Sequence, residues 1–163
     1  MSLVVETPGL QTLVQGAPRR GMRHMGVPLS GAADPLSLAL ANRLVGNPLA
    51  AAALEVTLSG MSLVSTAPCR IAITGAPRAI VLDGTGMSMH QRLDVSPNTR
   101  IELAPAESGA RSYLAVAGAF AAAEVLGSPS TYLPARIGGY NGRALEAGDV
   151  LGFAGEPASA GAA

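Results

Sequence analysis

Ser30, Gly31, Asp34, Asn42, Arg43 and Glu55 bring a hydroxyl, an open backbone, two carboxylates, a carboxamide and a guanidinium into one stretch of a chain in which only 13% of residues are charged. Such groups can orient a ligand, hold a proton or stabilise developing charge, so chemistry is expected here. Each also has a structural reading. Asp34 before Pro35 is the pattern of a helix start, where the carboxylate accepts from free backbone N–H groups and proline lacks one. Ser30-Gly31 reads equally well as a turn. Arg43 and Glu55 fit either a structural ion pair or substrate contacts, and Asn42 can simply satisfy backbone groups of a neighbouring loop.

The element that must position these residues is a helix starting at Pro35. It is expected to end at Gly46, where glycine takes the left-handed conformation and the following Asn47-Pro48 cannot continue it. Leu36, Leu40 and Leu44 share one side of the wheel, while Leu38, Ala39, Ala41 and Val45 cover most of the rest. A helix apolar nearly all round is expected to be buried. Arg43 falls between the directions of Leu36 and Ala39, and a buried guanidinium needs a carboxylate or a ligand. Glu55 is the nearest acidic candidate in sequence.

Around that helix the chain reads as short strands at 3–6, 12–15, 54–57, 62–65, 70–74, 79–82, 100–103, 112–117 and 150–153, rich in β-branched or alternating apolar residues. Pro8-Gly9, Gly75-Ala-Pro77, Asp83-Gly84, Ser96-Pro-Asn98 and Ala147-Gly-Asp149 supply the turns, and Asp83-Gly84 is the clearest hairpin. Closely spaced strands with one buried helix predict a mainly β fold, an antiparallel barrel or sandwich. At 163 residues a single domain is expected.

Composition removes several function classes. Residues are 48% hydrophobic but 3% aromatic, the formal net charge is zero, and every basic residue is arginine. Without lysine there is no Schiff base, no phosphate-loop lysine and no biotin attachment point on this chain. No basic stripe or aromatic platform suits nucleic acid. The longest apolar stretch, 113–125, holds Gly118 and Glu124 and falls short of the roughly 20 residues that span a bilayer. No metal site is expected, because His24, His90 and Cys69 are scattered and the histidines read as surface or loop residues. Cys69, before a strand, reads as a small core residue. A single cysteine and no visible secretory signal lead to a cytoplasmic assignment.

Eight motifs in order carry a family resemblance: Pro8-Gly-Leu-Gln-Thr-Leu-Val-Gln15, Gly26-Val-Pro-Leu-Ser-Gly-Ala-Ala-Asp-Pro35, Ala41-Asn-Arg-Leu-Val-Gly-Asn47, Leu54-Glu55, Thr74-Gly-Ala76, Tyr113-Leu-Ala-Val-Ala-Gly118, Gly127-Ser-Pro-Ser-Thr-Tyr132 and Gly138-Gly-Tyr-Asn-Gly-Arg143. Together they resemble the KipA or allophanate hydrolase subunit 2 family, which includes the carboxyltransferase domain of urea carboxylase and the C-type subunit of bacterial 5-oxoprolinase. The chain departs from it at Gly16-Ala-Pro-Arg-Arg-Gly21, where relatives typically read Asp-Leu-Gly-Arg, and it stops where a second, similar half usually follows.

The resemblance implies a cyclophilin-like antiparallel β-barrel over residues 1–153, with 154–163 as a linker or disordered tail. It also implies one component of an ATP-dependent amide or lactam hydrolase of 5-oxoprolinase type that is not active alone. Carboxyl transfer to urea or a related amide is the alternative, and a non-catalytic KipA-type regulatory binding module a third. The expected partner is a KipI-like protein, similar to the B-type subunit of 5-oxoprolinase. The chain itself would bind no cofactor, ATP or carboxybiotin coming through partner subunits. In either enzymatic reading Arg43 and Asn42 would donate to a carbonyl oxygen and Asp34 or Glu55 would accept from an amide N–H. Ser30 and the Gly31 backbone would place the ligand.

Overall fold

The structure is a computed structural model that describes residues 1–155. Eleven strands and one helix follow in the order β1 (Ser2–Thr7), β2 (Gln11–Gln15), α1 (Pro35–Val45), β3 (Ala53–Thr57), β4 (Met61–Ser65), β5 (Cys69–Gly75), β6 (Ile80–Leu82), β7 (Thr85–Met87), β8 (Arg92–Val95), β9 (Arg100–Leu103), β10 (Arg111–Val116) and β11 (Val150–Gly152). Short 3-10 turns occur at Arg23–Met25 and Leu133–Ala135. All nine expected strands are present within a residue or two of their bounds, and β7 and β8 are additional. Asp83 and Gly84, with φ of 46° and 83°, close the two-residue hairpin between β6 and β7. The expected tail lies, from residue 156 on, outside the described residues.

The strands form two antiparallel sheets, ordered β11-β1-β4-β9-β6-β7 and β2-β3-β10-β5-β8. Position by position the two orders match once β11 is set aside. Each strand of the first sheet is joined to its counterpart in the second through a corner at 8–10, 58–60, 76–79, 88–91 or 104–110. The molecule is therefore one set of bent ribbons folded over a common core, the arrangement in which strands switch sheets at bends. Closure into a barrel, expected from the resemblance, is not seen among the described pairings. Arg78, 4% exposed, fastens the corners by donating to Ser112 Oγ (2.9 Å), Ser59 O and Ala104 O (both 3.1 Å). Burial lowers its pKa.

The main core fills the inside of the fold with Leu3, Val5, Leu54, Leu63, Ile71, Ile73, Ile101 and Leu114, and Cys69 packs partly buried against it. The second sheet is covered on its outer face as well. There Ala53, Ala72, Tyr113, Ala115 and Ala117 meet Leu38, Ala41 and Val45 of α1. Small residues on that face let the helix lie close, which accounts for strands that read as continuously apolar.

The helix has the expected bounds but not the expected burial. Leu38, Ala41, Asn42 and Val45 are its buried residues, whereas Leu36 is 80% and Leu40 42% exposed. Among the described residues it packs on one sheet and nothing covers its other side. Arg43 consequently points to solvent rather than into the core, and the argument that it needs a buried carboxylate does not hold.

Candidate functional site

Asp34 caps α1. Its Oδ1 accepts from the Leu36 N–H (3.1 Å) and the Ser37 N–H (3.0 Å), and its Oδ2 from the Ser37 hydroxyl. These bonds, the hydroxyl first, hold its pKa below the usual carboxylate value. The helix start is thus already occupied by the chain's own anion. Gly46 ends the helix in the left-handed conformation, with φ of 82°.

Strand pairing carries Glu55 to the same place. The β3–β10 register sets Glu55 opposite Tyr113 and Thr57 opposite Arg111, on the face that α1 partly covers. Glu55 is 5% exposed. Its Oε2 accepts from the Ala33 N–H (2.8 Å) and the Tyr113 hydroxyl (2.7 Å), and its Oε1 lies 3.4 Å from Arg111 Nε. Tyr113 Oη in turn accepts from the Asp34 N–H (2.8 Å). One buried carboxylate and one buried phenol therefore pin the two residues preceding the helix onto the sheet. Burial, then the hydrogen bond to Glu55, pushes the Tyr113 pKa well up. The phenol stays a donor, as an anionic acceptor beside it requires.

Ser30 and Gly31 approach this point in left-handed conformations, with φ of 51° and 93°. Ser30 Oγ accepts from Nη1 of Arg19 at 3.2 Å. Arg19 is fully buried and also donates from Nε to Val125 O and from Nη2 to Ser130 O, both at 2.9 Å. The hydroxyls of Ser128 and Ser130 donate to Ala17 O. The two glycine-rich motifs of the C-terminal half meet at this knot: Gly139 N–H bonds Pro129 O at 2.8 Å, and a Cβ on Gly139 would collide with Thr131 Oγ1.

The far end of α1 is different. Asn42 is fully buried and its carboxamide is occupied by structure: Nδ2 donates to Ala51 O (2.9 Å) and Leu49 O (3.3 Å), and Oδ1 accepts from Asn47 Nδ2 (3.0 Å). Arg43, one residue on, has no ion pair among the described residues. It does not meet Glu55, whose cation is Arg111. With a rise of about 1.5 Å per residue, Arg43 sits some 13 Å along the axis from Asp34. The structure brings Ser30, Gly31, Asp34 and Glu55 together and leaves Asn42 and Arg43 apart from them.

Arg19, Thr57, Arg111 and Tyr113 join the site without having been singled out from sequence. A signal was present for three of them: Glu55 and Thr57, and likewise Arg111 and Tyr113, are polar residues two apart in otherwise apolar strands, hence on one face. A cleft of about 410 Å³ lined by Pro68, Cys69, Arg70, Asp94, Ser96 and Pro97 lies elsewhere, and the Cys69 thiol there is pushed up to about 11 by burial, unsuited to nucleophilic work. His24 and His90 are exposed, and no cluster of metal-ligating residues occurs among the described residues. No helix among the described residues is long and apolar enough to cross a membrane.

The carboxyltransferase domain family, subdomain A and B, matches residues 25–163. Urea amidolyase of Saccharomyces cerevisiae is 40% identical over 92% of this chain and 8% of its own length. The C-type subunit of 5-oxoprolinase from Escherichia coli is 41% identical over 88% of this chain and 46% of its own. The crystal structure of Kluyveromyces lactis urea carboxylase superposes with a TM-score of 0.92 at 36% identity, covering 95% of this chain and 14% of that one. The chain thus spans less than half the length of each of these relatives.

Proposed function

The chain belongs to the carboxyltransferase domain family, and from that premise we propose that it is one component of a multi-component, ATP-dependent amide or lactam hydrolase of 5-oxoprolinase type. The observation that carries the reading is the cluster Ser30, Gly31, Asp34, Glu55 and Tyr113, in which a buried carboxylate and phenol fix a left-handed loop at the lip of a sheet. Such a loop offers preorganised polar groups to a small planar amide. In the proposed reaction the terminal phosphoryl group of ATP goes to the amide oxygen, and water adds to the carbon so activated. The C–N bond then breaks, with the nitrogen taking a proton and phosphate leaving.

This chain holds the amide. It has no lysine and no glycine-rich phosphate loop of recognised spacing, so ATP belongs to a partner component, KipI-like or similar to the B-type subunit of 5-oxoprolinase. Arg43, exposed in the last turn of α1, would reach the reaction only where a partner surface completes it, and the carboxamide of the buried Asn42 stays with the loop it fastens. A cytoplasmic setting suits the single cysteine.

The similarity to urea amidolyase over nine-tenths of the chain favours a second reading, carboxyl transfer from a partner's carboxybiotin to urea. The experiment that tests the first is ATP-dependent formation of glutamate from 5-oxoproline by the chain mixed with its partner subunits, each omitted in turn. Glutamate only in the presence of this chain supports the hydrolase. A stable complex that makes none, but carboxylates urea when supplied with carboxybiotin, replaces it with the second reading.

A further inference from the structure

We infer that Arg111 is the anion-binding residue of this site, and that the ligand it takes is a small amide or lactam bearing a carboxylate rather than a neutral amide. This rests on the amide reading above and specifies its substrate. Arg111 lies at the start of β10, its side chain about one-third exposed. Its Nε faces Glu55 Oε1 at 3.4 Å without the alignment of a hydrogen bond. Its two Nη groups have no partner among the described residues. The inner edge of the guanidinium is thus held by a buried carboxylate while the outer fork is left open, the geometry that takes a second carboxylate through paired N–H donors.

A second, independent observation lies directly across the strands. Thr57, paired with Arg111 in the β3–β10 register, is 7% exposed, and its Oγ1 is buried with no hydrogen-bond partner. An orphaned buried hydroxyl needs an explanation, and a ligand oxygen seated between Thr57 and Arg111 supplies one. The Ala33 N–H, which bonds the other oxygen of Glu55, keeps the Ser30–Gly31 loop beside the same carboxylate. Urea offers nothing for the fork to bind as an anion, whereas 5-oxoproline does.

The test measures binding of 5-oxoproline and of its neutral primary amide to the assembled complex by titration calorimetry, for the wild type, Arg111→Lys and Arg111→Gln. Melting temperatures serve as the check on folding, and turnover is followed in parallel. The expected result is preference for the charged ligand. Arg111→Gln should weaken its binding, and raise its KM with kcat little changed, by about tenfold to a hundredfold. Arg111→Lys should fall between, because it keeps the charge and loses the fork, and the neutral amide should bind all three alike. Equal binding of both ligands by the wild type, binding of neither, or unchanged binding in folded Arg111→Gln would overturn the inference. ATP-dependent ring opening that ignores Arg111 would leave the hydrolase reading standing without it. Arg111-dependent binding with no ring opening would do the reverse.

Discussion

Replacing Tyr113 with phenylalanine removes one hydroxyl and leaves two buried groups short, the Asp34 N–H and Glu55 Oε2. The expected loss is about 1–3 kcal/mol of stability, read by denaturant unfolding. The same hydroxyl predicts an alkaline effect. Its folded pKa lies above the ordinary value near 10, so the unfolded state ionises first, and the contribution present below pH 10 is lost as pH rises beyond it. Stability of the wild type should fall more steeply above pH 10 than that of Tyr113→Phe. Asp34 allows its two readings to be separated. Asn caps helices about as well as Asp, so Asp34→Asn should keep the melting temperature while Asp34→Ala loses about 1 kcal/mol. Turnover that survives in the asparagine variant assigns Asp34 to the cap alone.

Among the elements, much was legible because it is local. Asp34-Pro35 and Gly46 set the helix bounds, Asp83-Gly84 set the hairpin, and the β-branched runs set nine strands. β7 escaped because Thr85-Gly-Met87 is short and largely exposed, and β8 because two of the four residues of Arg92-Leu-Asp-Val95 are charged. The burial of α1 was misjudged because a wheel shows which residues are apolar but not how many neighbours the helix has. Half of the site was hidden for a similar reason. That Glu55 meets Tyr113 and Arg111, rather than Arg43, depends on β3 pairing with a strand more than fifty residues away, and no local pattern encodes that register. The glycine motifs near the C-terminus recur as the knot around Arg19. Gly139→Ala, at φ of 57° and facing Thr131, should cost at least about 1–2 kcal/mol from conformation alone, and more from the collision. Loss of melting temperature together with amide protection around Ser30 and Ser130 would be its signature in hydrogen exchange.

Over the whole molecule, the bent ribbons are closed at one edge by β11, which Arg143 and Asp149 tie to β1. The guanidinium takes both carboxylate oxygens at 2.8 and 2.7 Å, and the Asp149 carbonyl accepts from the Val5 N–H at 2.9 Å. Arg143 holds the Asp149 pKa below its ordinary value. The contribution is therefore present above about pH 4 and lost as pH falls through the folded pKa. Asp149→Asn should be less stable at neutral pH and show a shallower loss on acidification, measured by thermal melts between pH 7 and pH 2. Charge at the loop before α1 and at this edge thus act separately, one organising the loop and the other fastening β11.

The role of the buried carboxylate is decided by comparing Glu55→Gln with the wild type in ATP-dependent glutamate formation by the reconstituted complex, with melting temperatures alongside. If Glu55 organises the loop that holds the amide, turnover should fall by about tenfold to a hundredfold, the equivalent of one charge-assisted hydrogen bond, in a protein that still folds and binds its partner. Wild-type turnover in folded Glu55→Gln would contradict that role and move the site away from this end of the helix.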